Sequence, residues 1–417
     1  MNKNKYVNGI LPMILINFSI GSVYCWTLFK EHIWEYTGFS HSVTEWAFSL
    51  AIFCLGMSAA FGGRIVEKDP NKSAFMTFVM FTSGWLITGY GIYSKNAAIM
   101  VAGFGVVQGV GLGLGYITPV KTLMIWMGNK KGFAAGLTIA GFALAGVLAN
   151  PLIAFLLERM AVYQVFWLLG GVYGVCLFTA SKLLHRPEYH EQASEEEHQE
   201  FSVRAIIATP KFAFLWFVFF VNITAGLALI SQEKQIYLHI GETNVATIVA
   251  LVSIAALFNL AGRLSMASLQ DHLRAKHGPY YLMAGLSISV ALLAVLMPGS
   301  VVMAFVLIGV VQFFFGCGFS CMPNILHQNW GMKYLSTVHG LMLSAWAVAG
   351  LVGNQVASHM LDTYGVRPLY LMLAVLFAVE AVALVTWVRV SSRDRVLEPR
   401  VRSSQRERES VSGAVPA

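Results

Sequence analysis

Charged side chains are scarce in this sequence, at 12% of 417 residues against 57% hydrophobic ones, with a mean hydropathy of +0.64. No soluble domain of this size carries so little charge, so a polytopic membrane protein is expected. Cysteine offers no cross-links outside the membrane. The five, Cys25, Cys54, Cys176, Cys317 and Cys321, all fall inside apolar runs. Cys317 and Cys321 share a helical face, which packing explains better than a metal. A cleavable signal sequence is also missing, since the first apolar run continues for a full span without a small-residue cleavage site, and it is expected to remain as the first helix.

Apolar runs of about 20 residues, the length that crosses a bilayer, are what the chain has in quantity. Twelve stand near 7–29, 45–63, 73–93, 97–127, 133–157, 163–184, 211–232, 245–269, 280–298, 300–327, 335–361 and 368–388. An even number puts both termini on one side. With the N-terminus inside, the inner segments hold Lys3, Lys5, Arg64, Lys68, Lys72, Lys130, Lys131, Lys182, Arg186, Arg204, Lys211, Arg274, Lys276 and Lys333. The outer segments hold only Lys30, Lys95, Arg159, Lys234 and Arg367. That asymmetry predicts both termini inside, in a multi-pass protein of the cell (inner) membrane. The tail from Arg389 to Arg408 accounts for much of the net charge of +7 and reads as a segment near anionic headgroups. The lipid bilayer is the implied partner, and nucleic acid is not.

A shift of 204 residues superposes one half of the chain on the other. Gly105-Val-Val-Gln108 falls on Gly309-Val-Val-Gln312, Pro119 on Pro323, Trp126 on Trp330, and the run Gly136 to Asn150 on Gly340 to Asn354. One further residue of offset brings Asn17-Phe-Ser-Ile-Gly21 onto Asn222-Ile-Thr-Ala-Gly226. Six spans moved together keep their orientation, so the halves are parallel repeats about an axis along the membrane normal, the arrangement of the major facilitator fold. The expected organisation is an N-terminal six-helix half (1–184), a cytoplasmic linker (185–210), a C-terminal six-helix half (211–390) and a basic tail (391–417). His190, His198 and the glutamate run of the linker lack the fixed geometry of a metal site. Gly109, Gly111, Gly113 and Gly115 follow no strand and lie at membrane depth, so they read as helix-packing residues and not as a nucleotide loop. No cofactor or metal is expected.

Between spans two and three stands Gly63-Arg-Ile-Val-Glu67-Lys68-Asp-Pro-Asn-Lys72, which resembles the loop motif of the major facilitator superfamily, and the shift places Glu67 on Asp271. The resemblance implies that this acid faces a neighbouring helix N-terminus and helps hold one state of the transport cycle. The sequence departs from the motif in having Glu67 for Asp, Pro70 for the second Gly, and Ala267 for the second-half Gly. Gly115-Tyr116-Ile-Thr-Pro119, then Trp126, Lys130-Lys131-Gly132 and Ala135-Gly136, with Gly21-Ser-Val-Tyr24-Cys-Trp26 and Asn222 to Gly226, resembles the oxalate/formate antiporter family, related to the monocarboxylate transporters.

In those relatives a span-eight arginine, preceded four residues earlier by Asn or Asp, binds the substrate carboxylate, and Asn259 with Arg263 matches that pattern. Arg263 is the only charge in the stretch 245–269, where a lone guanidinium is costly and usually binds something. Its planar fork suits a carboxylate; the alternative is snorkelling toward Asp271, roughly 12 Å away along the helix. Tyr116 matches the family's span-four tyrosine, while Tyr24, Trp26 and Trp346 are candidates for an aromatic lining. His327 and His339 could titrate, though a hydrogen-bonded structural role suits them better. Lys121 lies about 140° around the helix from Tyr116, so it either supplies a second cation or snorkels inward.

The deep charges, Arg263, Lys121 and Glu380, leave the centre net positive, so an anion is expected there. No Asp or Glu is read deep in spans one, two, four, five, seven, eight, ten or eleven, and Asn259 stands where animal monocarboxylate transporters have Asp. That favours anion exchange, or a proton moving with the substrate or on a histidine. The family's oxalate exchanger adds a span-eleven lysine, and here no Lys or Arg falls between Lys333 and Arg367. The resulting expectation is a transporter, not an enzyme, working as a monomer by alternating access on a small monocarboxylate such as lactate, pyruvate or formate. The alternatives are a dicarboxylate exchanger with Lys121 as second cation, a sensor, or a drug efflux pump.

Overall fold

The computed structural model describes residues 6–128, 130–186, 202–272, 278–387 and 389, with the side chains of 271 and 278–283 excepted. The Asp271 side chain, linker residues 187–201 with His190 and His198, and the tail 391–417 therefore lie outside the described residues. In chain order the long helices are α1 (Tyr6–Thr37), α2 (His41–Lys68), α3 (Pro70–Tyr93), α4 (Ala97–Met127), α5 (Lys131–Leu157), α6 (Val162–Leu183), α7 (Pro210–Ile230), α8 (Val245–His272), α9 (Gly278–Leu296), α10 (Val301–Trp330), α11 (Leu335–Tyr364) and α12 (Val366–Trp387). Eleven are long and apolar enough to cross a membrane; α9, on the expected ninth span, shows a shorter apolar stretch, Ala284–Leu296.

Local chemistry places the breaks. Pro70 opens α3, where its missing N–H costs nothing, and Asp69 caps that helix by accepting from the Lys72 N–H at 2.9 Å. Thr209 caps α7 in the same way ahead of Pro210. Within α1 the Ser19 and Ser22 hydroxyls each donate to a backbone carbonyl at 2.7 Å, and the helix tightens to a 3-10 turn at Ser22–Cys25.

Helices one to six meet helices seven to twelve along two seams, α5 on α8 and α2 on α11. Close approach needs small residues: a Cβ at Gly136 would stand 2.6 Å from the Arg263 carbonyl oxygen, so only glycine lets α5 lie against the turn of α8 that carries Arg263. Gly113 does the same between α4 and α2, where a Cβ would fall 2.0 Å from the Leu55 carbonyl. The glycines of α4 therefore serve packing.

Glu380, on α12, is enclosed and neither carboxylate oxygen has a partner among the described residues. Burying such a group without a hydrogen bond costs about 1–3 kcal/mol. Glu380→Leu is expected to stabilise the protein by about that much in thermal melting while leaving the transport rate alone. A lowered melting temperature would show instead that Glu380 has a partner worth keeping.

Candidate functional site

Arg263 is fully buried at the seam between α5 and α8. Its Nε donates to Asn259 Oδ1 at 2.8 Å, one helical turn back, and Nη1 donates to the Ile139 carbonyl of α5 at 2.7 Å. Nη2 has no partner among the described residues. The guanidinium lies over the rings of Phe142 and Phe319, 5.4 Å from each centroid, so aromatic faces rather than an acid surround its charge. The side chain thus points across to α5 and does not snorkel along α8.

Rings from both halves close the site. Trp346 of α11 lies edge-on to Tyr116 at 5.0 Å and to Phe319 at 4.5 Å, and Tyr24 meets Phe142 at 5.0 Å. Tyr24 and Tyr116 both interact electrostatically with Arg263, and the Tyr24 hydroxyl lies close enough to the guanidinium for a loose hydrogen bond, though neither hydroxyl has a partner of good geometry. The Trp346 indole N–H and His339 Nε2 are likewise unmatched among the described residues. A tight cage of buried rings with polar tips left over suits a small ligand that supplies acceptors.

Of the residues singled out in the sequence, Arg263, Asn259, Tyr116, Tyr24 and Trp346 come together. Trp26 does not join them: its indole donates to the Thr44 carbonyl at 3.1 Å and stacks on Phe104 at 3.8 Å, inside the first six helices. Lys121 does not join them either. Its Nζ pairs with Glu67 Oε2 at 2.5 Å and donates to the Lys333 carbonyl at 3.0 Å.

Glu67 in turn accepts from the Ser336 N–H at 2.7 Å, in the first turn of α11, so the loop-motif acid sits at a helix N-terminus of the other half. Gly63 of the motif packs against the Thr337 backbone, and Lys68 is exposed. Arg186 ties the same loop down, donating to the Glu67 and Val66 carbonyls at 3.1 and 2.8 Å; burial lowers its pKa, with Glu67 and Asp69 opposing. Lys131 meets His327 at 2.9 Å on this face.

The opposite end is bridged as well. Lys30 pairs with Glu45 and donates to the Ser231 carbonyl at 2.7 Å. Gln232 donates to Glu45 at 3.0 Å, Asn354 to the Ser49 hydroxyl at 2.8 Å, and Lys234 pairs with Glu31 at 2.6 Å. Expected as ordinary outer charges, Lys30 and Lys234 are buried. With both ends bridged, Arg263 is sealed from either side.

Sequence reasoning missed Phe142, Phe319, Gln312 and Glu233. Two carried a signal: the 204-residue shift sets Phe142 on Trp346 and Gln108 on Gln312. Gln312 accepts from Asn259 Nδ2 at 3.0 Å and donates to Glu233 at 3.2 Å.

A two-part helical bundle bridged at both ends around a central guanidinium is the build of a membrane carrier, and residues 12–354 match the Major Facilitator Superfamily, to which the chain belongs. It is a transporter of that superfamily and not an enzyme. Over 395 residues it is 25% identical to the oxalate:formate antiporter of Oxalobacter formigenes, covering 92% of this chain and 91% of the relative. It is 25% identical over 362 residues to apicoplast pyruvate carrier 1 of Toxoplasma gondii, covering 69% and 64% respectively. The fold is shared with the proton:xylose symporter XylE, at a TM-score of 0.72 and 10% identity over 92% of this chain and 96% of that one.

Proposed function

We propose that this protein carries small monocarboxylate anions across the membrane, of the size of formate, pyruvate or lactate, with Arg263 as the carboxylate anchor. The observation that carries this reading is the Arg263 guanidinium: fully buried, without an acid among its hydrogen-bond partners, and with Nη2 in no hydrogen bond of good geometry among the described residues, only Tyr24 lying loosely beside the group. In this reading a carboxylate oxygen meets that donor, and the Tyr24 and Tyr116 hydroxyls take up the rest of the anion. The named activities of the relatives, oxalate:formate exchange and pyruvate carriage, fit the same chemistry.

Transport then proceeds by alternating access. The halves 1–184 and 211–390, with both termini inside, rock about Arg263, opening the Glu67 cluster toward the cytoplasm in one state and the Lys30 cluster outward in the other. One cation at the centre favours one carboxylate, because Lys121 is engaged by Glu67 and the Lys333 carbonyl. A single chain contains the whole site, so a monomer suffices.

The test is uptake of labelled formate, pyruvate, lactate and oxalate into proteoliposomes, with and without unlabelled anion inside. Saturable, trans-stimulated uptake of a monocarboxylate is expected. Lys121→Met is expected to slow every substrate by a similar factor, roughly tenfold, since it loosens a closing contact worth about 1.4 kcal/mol or more. Loss confined to oxalate on Lys121→Met would return the dicarboxylate reading.

A further inference from the structure

Glu233 opens the short helix Glu233–His239 that follows α7, and it is only 2% exposed. Its Oε2 accepts from Gln312 Nε2 at 3.2 Å, and Oε1 has no partner among the described residues. Gln312 Oε1 accepts from Asn259 Nδ2 at 3.0 Å, and Asn259 Oδ1 accepts from Arg263 Nε at 2.8 Å. Two amides therefore stand between a buried carboxylate and the buried guanidinium. Glu233, Gln312, Asn259, Asn150 and Tyr24 line one cavity of about 20 Å³ beside the site, room for about one water molecule.

We propose that Glu233 binds a proton together with the carboxylate substrate, so that the anion crosses with a proton. This rests on Arg263 being the carboxylate anchor. Burial raises the Glu233 pKa, and in the proposed cycle the positive Arg263 across the amide chain is what keeps its carboxylate charged before the anion enters. An incoming carboxylate takes up the guanidinium's charge and leaves the Glu233 carboxylate uncompensated in an enclosed space. A proton on Oε1 removes that charge, and by linkage a protonated Glu233 favours the anion by the same factor. The proton arrives from one aqueous side, leaves on the other with the anion, and the loaded site moves no net charge.

The neighbours leave this role to Glu233. Tyr24 across the cavity and Tyr237 one turn along are phenols, whose ordinary pKa near 10 keeps them neutral. Gln312 on α10, Asn150 on α5 and Asn259 on α8 do not titrate. Lys30 with Glu45 and Lys234 with Glu31 are already paired on the layer above.

The first measurement needs no variant. Purified protein in weakly buffered detergent receives formate, pyruvate or lactate while an indicator follows pH. About one proton taken up per anion bound is expected, and none by Glu233→Gln. In proteoliposomes an acid-outside gradient should raise wild-type uptake several-fold and drive accumulation. Uptake by Glu233→Gln should be indifferent to the gradient, and Glu233→Asp should recover part of the response. Anion binding without proton uptake, or a Glu233→Gln carrier that still follows the gradient, overturns the proposal. If Glu233→Gln does not fold, the wild-type proton count decides. Uptake that depends on Arg263 but ignores pH sinks only the proton site, whereas binding unchanged in Arg263→Ala sinks the anchor itself.

Discussion

Arg263→Lys is expected to cut carboxylate uptake about a hundredfold or more, nearly as far as Arg263→Ala, although it keeps the charge. In the proposed role the guanidinium does three things at once: Nε holds Asn259, Nη1 holds the Ile139 carbonyl, and Nη2 takes the anion. A lysine has one nitrogen at the end of a flexible stem, and it cannot bridge α8 to α5 and still present a fixed fork. Losing one charged hydrogen bond to the substrate and leaving one buried acceptor short costs about 3 kcal/mol, hence the hundredfold. Uptake into proteoliposomes, normalised to folded protein by melting temperature, reads the effect. Activity of Arg263→Lys within about threefold of wild type would mean that only charge is required, and the fork would be irrelevant.

The helices were legible in the sequence because a bilayer leaves the chain no choice: about 20 apolar residues must form a closed hydrogen-bonded element. Arg263 and Asn259 were legible for a related reason, since a charge at that depth stands out against its surroundings. Tyr24 and Tyr116 lie in the motifs that carry the family resemblance, while Trp346 is a candidate only as an aromatic lining. Trp26 does not join them, and helix geometry says why. At about 100° per residue, Tyr24 and Trp26 point to opposite sides of α1, so one faces the site and the other its own half. Lys121 has the same cause: it lies about 140° from Tyr116, and Pro119 does not swing it back. Glu233 was hidden differently. It follows the apolar run of α7 and precedes Lys234, which reads as the start of a loop, whereas the chain turns and re-enters a helix that buries both.

The two ends are closed by unlike chemistry. On the Glu67 face the clasp combines an ion pair with a helix N-terminus, and the pair retains some exposure, 10% for the Lys121 side chain and 16% for that of Glu67. On the Lys30 face the pair is drier, 0% and 6%, and the uncharged amides of Gln232 and Asn354 donate to the Glu45 carboxylate and backbone carbonyl from the other half. A drier pair is harder to break one-sidedly, because the survivor's charge has no water. Opening the Lys30 face requires Lys30 to leave the Ser231 carbonyl and Glu45 to leave Gln232, while Lys30 and Glu45, both in the first six helices, can stay together. In the proposed cycle the pair would travel as a neutral unit, which would keep the cost of opening low.

Lys30→Met should therefore have the second large effect. It strands the Glu45 carboxylate, which costs about 3–5 kcal/mol when a buried pair loses one member, and it removes the contact with Ser231 across the seam. The melting temperature is expected to fall sharply, and the surviving population to favour the state open on the Lys30 face, where water can reach Glu45. With the five native cysteines replaced, a cysteine at Ala143, beside the small cavity, reports this. It should react with a membrane-impermeant thiol reagent much faster in Lys30→Met than in wild type. The double substitution Lys30→Met with Glu45→Gln removes the stranded charge and should recover most of the melting temperature, but not the Ser231 contact, so labelling should stay fast. Equal labelling rates in all three proteins would show that the Lys30 cluster does not govern access to the site from that face.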